Sequence, residues 1–406
     1  MYRMSCFPER RSIAVIGGGP AGAFAASLLA AHHDVTLFDE RLAWEKPCGG
    51  GLTAKALAQY PFLRDNLRPK KVVTKAEMSM RGGPSVQFAL RDSIIIYSRE
   101  VLNQLLLDRA VDAGARVVRE RITAVQSLAH RDAPSAAADV TSPTAGWRLR
   151  GTNSEYRFDF VVLAAGARNP FTAFGLPQAQ SDTSMTLGYF VPGAREVMEI
   201  EFQNDLEGYL WIFPRDTHSS VGICGTLLRE PSSKMKERLH DYMHRKGLST
   251  DGAKFYSHRL PALRTESLHT LKPAGEGWAA VGDAAGFVDP ITGEGLYYAL
   301  RSAELFASCF NEGSLADYPK LLRKDFIHDL ELGARIAGRF YNGKFLGGAV
   351  TTRMIQFAAR SATFAALIQD LFAGSQGYIG LKRRLMRNLN RTLAEIAASF
   401  FLPQKR

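Results

Sequence analysis

Ser12-Ile-Ala-Val-Ile-Gly-Gly-Gly-Pro-Ala-Gly22 is the stretch from which the rest of the chain is read. Ile13 to Ile16 is a short apolar, β-branched run of the kind that forms a buried parallel strand, and the Ala- and Leu-rich segment from Pro20 to Ala31 predicts the helix behind it. The glycines between them have separate mechanical duties. Gly17 permits a tight turn, Gly19 lets the backbone approach a pyrophosphate, and Gly22, beside Ala21, lets the helix pack closely on the strand. A diphosphate then sits on the helix N-terminus, where free N–H groups and the dipole favour negative charge. A second strand, Val35 to Phe38, ends at Asp39 and Glu40, which puts an acid about 20 residues past the glycines, as a ribose hydroxyl requires.

A second stretch, Trp278-Ala-Ala-Val-Gly-Asp-Ala-Ala-Gly-Phe-Val-Asp-Pro-Ile-Thr-Gly-Glu-Gly-Leu296, narrows the dinucleotide to FAD. It brings Gly282 and Asp283 to the end of a strand, then a loop of Pro290, Gly293 and Gly295, then a helix whose positive end faces whatever the loop touches. Two opposite ends of the chain are thus expected to build one flavin site in an α/β fold. That fold is a Rossmann-like FAD-binding domain (residues 1–68, 96–168 and 265–315), a mostly antiparallel sheet domain for substrate (69–95 and 169–264) and a helical C-terminal region (316–406).

With 406 residues, 46% of them hydrophobic, the chain can bury a large core. No secretory segment precedes the first strand and no charge-free run is long enough to cross a bilayer, so a cytoplasmic protein is expected, with a peripheral place on the inner membrane face as the alternative. Cys6, Cys48, Cys224 and Cys309 are far apart and form no Cys-x-x-Cys pair, so neither a metal site nor a disulfide framework is expected. From Leu381 onward Lys382, Arg383, Arg384, Arg387, Arg391, Lys405 and Arg406 face Glu395 alone, a surplus of six that is more than half the net charge of +11. Leu381, Leu385, Leu389 and Leu393 recur beside them, a basic amphipathic helix. Two readings of it stand: a helix docked on its own protein with solvated arginines, or one lying against anionic lipid. No nucleic-acid module accompanies the charge.

Between the two flavin stretches the pattern alternates. A helix from Thr53 to Gln59, strands at Val72–Met80 and Ser85–Leu90, a helix opened by Arg99 and a strand at Arg116–Val118 are expected. An Ala-, Ser- and Pro-rich hairpin or loop at 127–146 follows, then a buried strand from Phe158 to Ala165 that ends at Gly166. Tyr209, Trp211 and Phe213 alternate along an extended run that Pro214 stops, so they share one sheet face. That face suits a long apolar substrate or a packed core.

These motifs resemble the flavoproteins that include para-hydroxybenzoate hydroxylase. Within them Pro47-Cys-Gly-Gly-Gly51 and Gly208-Tyr-Leu-Trp-Ile-Phe-Pro214 are similar to the geranylgeranyl reductase family. Its aromatic motif is followed by Gly-x-Gly, which here reads Gly222-Ile-Cys-Gly225, one position displaced. The resemblance implies FAD contacts from Gly17, Gly19, Ala21, Gly22, Asp39, Glu40, Cys48, Gly49, Arg99, Ala165, Gly166, Gly282, Asp283, Pro290, Gly293 and Gly295. It implies a polyprenyl substrate against Tyr209, Trp211 and Phe213, with Cys48 and Tyr209 as catalytic proton sources and NAD(P)H or ferredoxin as electron donor. For Cys48, a small residue packed on the flavin ring stands as the other reading. A flavin monooxygenase or halogenase acting on an aromatic small molecule is the alternative function, since every FAD element serves it equally.

Overall fold

The computed structural model describes residues 10–128, 146–171, 174, 176, 179–226 and 231–400. Cys6, Lys405, Arg406 and most of the 127–146 segment lie outside the described residues. The flanks of that segment, Ile122–Ser127 and Trp147–Gly151, pair antiparallel in a three-stranded sheet with Glu155–Phe158.

A six-stranded sheet runs in the order Ala274–Gly275, Trp278–Ala280, Phe160–Leu163, Ser12–Ile16, Asp34–Phe38, Arg116–Val118. All its pairs are parallel except the first. Its central strands are apolar because both faces are covered, one by helices and the other by the three-stranded sheet, whose Tyr156 and Phe158 pack on Phe38: Ile13, Ala14, Val15, Val161 and Val162 are fully buried. The helices Pro20–Leu29, Arg99–Asp112 and Leu296–Asn311 enclose the glycine-bearing ends of these strands.

An eight-stranded sheet is antiparallel apart from the pairing of Val197–Phe202 with Lys71–Met80. Tyr209, Trp211 and Phe213 stand on one of its faces, as the alternation predicts. Leu210 and Ile212 stand on the other, where the helix Ser232–Arg245 covers them with Met235 and Leu239. The helices Val350–Arg360 and Ala362–Phe372 pack Met354, Ile355 and Ile368 into the aromatic side.

One expectation shifts. The strand expected to end at Leu90 continues to Ile96, because Ile94, Ile95 and Ile96 resume the ladder opposite Lys71–Val73 after a polar interruption at Arg91–Ser93. Gly51–Leu52, at the end of the Pro47–Gly51 motif, forms a short edge strand on Ile95 and Ile96. The displaced glycine motif also resolves. Trp211 lies opposite Gly222, Tyr209 opposite Cys224 and Gly208 opposite Gly225, so the glycine that matters for the aromatic face is the one in place.

Candidate active site

A groove of about 540 Å³ runs over the carboxyl ends of the parallel strands, lined by Gly17, Gly19, Asp39, Glu40, Ala165 and Gly166. Gly17 has φ +112, and a Cβ there would overlap the Ala164 carbonyl; one on Gly22 would overlap the Gly17 carbonyl oxygen. A Cβ on Gly19, by contrast, would meet only open space, so the first turn of the helix faces the groove with its backbone uncovered. Asp39 accepts from the Gly18 N–H at 2.7 Å and from those of Arg41 and Leu42 at 2.7 and 2.8 Å. Its carboxylate therefore shapes the turn, and Glu40 at the same rim has distant ion pairs, 3.7 Å to Arg41 and 3.8 Å to Arg121.

A passage of about 90 Å³ leads inward past Ala21, Cys48, Arg99, Asp283, Gly293 and Gly295. Lys46 holds Asp283 at 3.6 Å across it. Arg99 is buried with Nη2 on Asn103 Oδ1 at 3.3 Å and Nε unpartnered; His258, on the walls of both groove and passage, has Nε2 buried without a partner. Burial, reinforced by the cations Lys46, Arg168 and Arg99, pulls the His258 imidazolium down to about 3, so the ring is neutral. An open helix end, a carboxylate rim and two orphaned buried donors or acceptors fit a diphosphate nucleotide with a polar ring system. Gly22, Gly282 and Pro290 stand behind these walls. Gly282 donates to Ser302 Oγ at 2.9 Å and leaves no room for a Cβ beside Ala21, while Pro290 lines a separate cavity beyond Tyr209.

Beyond the passage lies a tunnel of about 180 Å³ walled by Met78, Phe88, Ile200, Tyr209, Trp211 and Phe213. Its geometry depends on two glycines, since a Cβ on Gly222 would strike the Trp211 indole and one on Gly49 the Phe213 ring. Trp211 Nε1 donates to Ser220 Oγ at 3.3 Å. Tyr209 Oη donates to the Thr292 carbonyl, and burial holds its phenol far above the usual range. Tyr341 likewise donates to the Ile291 carbonyl, and Tyr378 donates to the Asp289 carboxylate at 2.8 and 3.0 Å, so three tyrosines tie down the loop that precedes Gly293. Cys224 also reaches this wall, its thiol pushed up by burial to about 12.

Cys48 borders both the passage and the tunnel. Its carbonyl accepts from Arg215 Nη2 at 2.6 Å and Ser220 Oγ at 3.1 Å, and its sulfur accepts from the Gly50 N–H at 3.3 Å. Arg215 is 1% exposed and ion-pairs with Glu45, which also accepts from Ser98 and from the Arg99 N–H. Burial alone would raise Glu45, but the Arg215 guanidinium and these donors outweigh it and hold the carboxyl below its usual range. Arg215, Glu45, Lys46, His258 and Glu294 were not among the residues singled out from sequence. Arg215 directly follows the aromatic motif and Glu45 and Lys46 directly precede Pro47, so proximity to the motifs was the available signal.

No protein-family profile matches the chain. It is 27% identical over 317 residues to the geranylgeranyl diphosphate reductase of Synechocystis, covering 73% of this chain and 74% of that protein. It is 27% identical over 388 residues to the menaquinone reductase of Mycobacterium tuberculosis, covering 85% and 88%. Among solved structures, a geranylgeranyl bacteriochlorophyll reductase-like protein from Thermoplasma acidophilum superposes with a TM-score of 0.72 at 18% identity over 93% of this chain and 99% of that one. The flavin-dependent brominase Bmp2 superposes at 0.64 and 14% identity over 94% and 100%, a likeness of fold. Over most of its length the chain is thus similar to geranylgeranyl reductases, and it has the fold of FAD-dependent oxidoreductases.

Proposed function

We propose that the protein saturates carbon–carbon double bonds of a polyprenyl lipid or prenyl group. One observation carries this reading: the aromatic tunnel and the cofactor passage share Cys48, Gly293 and Gly295 as walls, so the nucleotide site adjoins a wall of Met, Phe, Ile and Trp side chains. Bound FAD, once reduced, supplies a hydride. Gly17, Gly19, Glu40, Arg99 and Asp283 would hold its phosphates, ribose and ribityl chain. The helix starting at Leu296 turns its positive end to the passage, where it would favour an anionic ring. The chain's own part is to align an alkene over that ring and exclude water, because an isolated alkene accepts hydride only when a proton arrives almost together with it. Cys48 and Tyr209 flank that position. Tyr209 has its hydroxyl hydrogen committed to Thr292, so we assign it to the wall, and Cys48 to contact with alkene and ring.

Electrons come from NAD(P)H or a ferredoxin, and the two are separable by anaerobic assay with each donor. Mass increments of two hydrogens per turnover in geranylgeranyl diphosphate under anaerobic conditions are the expected result. Substrate-dependent oxygen consumption with no such increment would replace the reductase by an oxygenase.

We also place the protein on anionic membrane surfaces. No helix among the described residues is long and apolar enough to cross a membrane. The C-terminal helix Leu381–Ala398 docks through a polar face: Arg384 on Asp370, and Glu395 on Ser361 and Thr363, with Thr392 buried. Its leucine face points outward, with Met386 61%, Leu389 40% and Leu393 53% exposed beside Lys382, Arg383, Arg387 and Arg391. Asp370, which pairs with both Arg384 and Arg91, lines the tunnel, so the tunnel opens beside this helix. Co-sedimentation with phosphatidylserine vesicles should fall in R387E/R391E and at high salt, by about 1 kcal/mol per base; unchanged sedimentation would remove the helix from lipid binding.

A further inference from the structure

Glu294 lies between Gly293 and Gly295, the two glycines common to passage and tunnel, and itself lines the tunnel with Cys48 and Tyr209. Its Oε1 accepts from the Tyr297 N–H at 2.9 Å, which anchors the carboxyl at the head of the helix Leu296–Asn311. Asp289 of the same loop, Lys55 from the helix Ala54–Gln59, Tyr209 from the sheet and Tyr297 and Tyr298 from its own helix surround it. It is thus an acid built into the wall of a mostly apolar tunnel, beside the point where the cofactor passage enters.

We propose that Glu294 is the proton donor of the alkene reduction. The inference rests on the function proposed above. The reduced cofactor gives a hydride to one alkene carbon and is oxidised by two electrons. The O–H bond of the Glu294 carboxyl breaks as its proton forms the C–H bond at the other carbon, and the carboxylate left behind is reprotonated from solvent between turnovers. Burial, countered by the helix N–H groups and joined by the Asp289 charge, pushes this carboxyl up to about 7, where a general acid both holds its proton and gives it up readily.

E294Q is the test, because the amide keeps an acceptor for the Tyr297 N–H but has no acidic proton. The variant should bind FAD with an unchanged visible spectrum and accept electrons from dithionite normally, while prenyl reduction drops by about 100-fold or more. E294D should recover part of the loss. The wild-type rate should fall as pH rises through about 7, and the residual E294Q rate should lack that limb. Independently of turnover, the protonated-carboxyl infrared band of the substrate-free protein should titrate near this pH and lose that component in E294Q. Wild-type rate and pH profile in E294Q, or an infrared titration identical in the two proteins, would overturn the role of Glu294 alone. A wild-type protein that reduces no prenyl double bond would overturn the functional reading and the proton-donor role with it.

Discussion

The nucleotide groove and the apolar tunnel meet at Cys48 yet are built on different principles. The groove is made of backbone: turns without Cβ atoms, a helix end and a carboxylate that braces the turn through N–H groups. The tunnel is made of side chains from distant segments, held in shape by Gly49 and Gly222, whose missing Cβ atoms leave room for Phe213 and Trp211. A backbone site tolerates almost no substitution but needs few residues, whereas a side-chain site can change its ligand while keeping the fold.

The largest effect is expected where the two regions join. Arg215→Ala would leave the half-buried Glu45 without its cation and the Cys48 carbonyl with Ser220 as its remaining partner, at a cost of about 3 kcal/mol in urea unfolding and with damage to both cofactor and substrate binding. Because Glu45 is held below its usual range when folded, wild-type stability from this pair is present at neutral pH and lost as pH falls through that lowered value; the variant should lack this acid-dependent component. Gly22→Ala should strike the groove alone, since a Cβ there overlaps the Gly17 carbonyl oxygen: a loss of up to about 3 kcal/mol and colourless protein on purification. Gly222→Ala should strike the tunnel alone, tilting Trp211 at a cost of about 1–2 kcal/mol, with yellow protein retained and KM for prenyl substrate raised. A variant that lost both would merge two regions held here to be separable.

The smallest effect is expected farthest from the junction. Glu395→Gln weakens the bonds to Ser361 and Thr363 by about 1 kcal/mol and should speed proteolysis within the C-terminal helix. The hydrogen bonds from Ser361 and Thr363 bring the Glu395 carboxyl down to about 2, so the helix keeps this anchor above the ordinary carboxylate range and loses it as pH drops toward 2.

The groove was legible because its requirements are local. Gly17, Gly19 and Gly22 sit within six residues, and strand, turn and helix follow one another in the chain. The aromatic face was legible for the same reason: a period of two places Tyr209, Trp211 and Phe213 together before any partner is known. Glu45 and Arg215 were not legible, since 170 positions separate them and neither stands in a periodic pattern. The C-terminal helix divides the same way. Its basic, leucine-bearing character was plain, but which face docks depended on Asp370, Ser361 and Thr363 receiving its polar side.

By itself the amino-acid order determined the parallel sheet, the phosphate-binding turn, the second flavin loop and the shared direction of three aromatic rings, because each follows from spacing along a few consecutive residues. Only the tertiary structure decided that the Tyr209 hydroxyl is committed to a loop carbonyl, that Glu294 stands on the tunnel wall beside Cys48, and that a buried arginine fastens Cys48 between the two cavities. Such roles depend on burial and on partners brought from remote positions, and a carboxyl or a phenol has no fixed chemistry until its surroundings are in place.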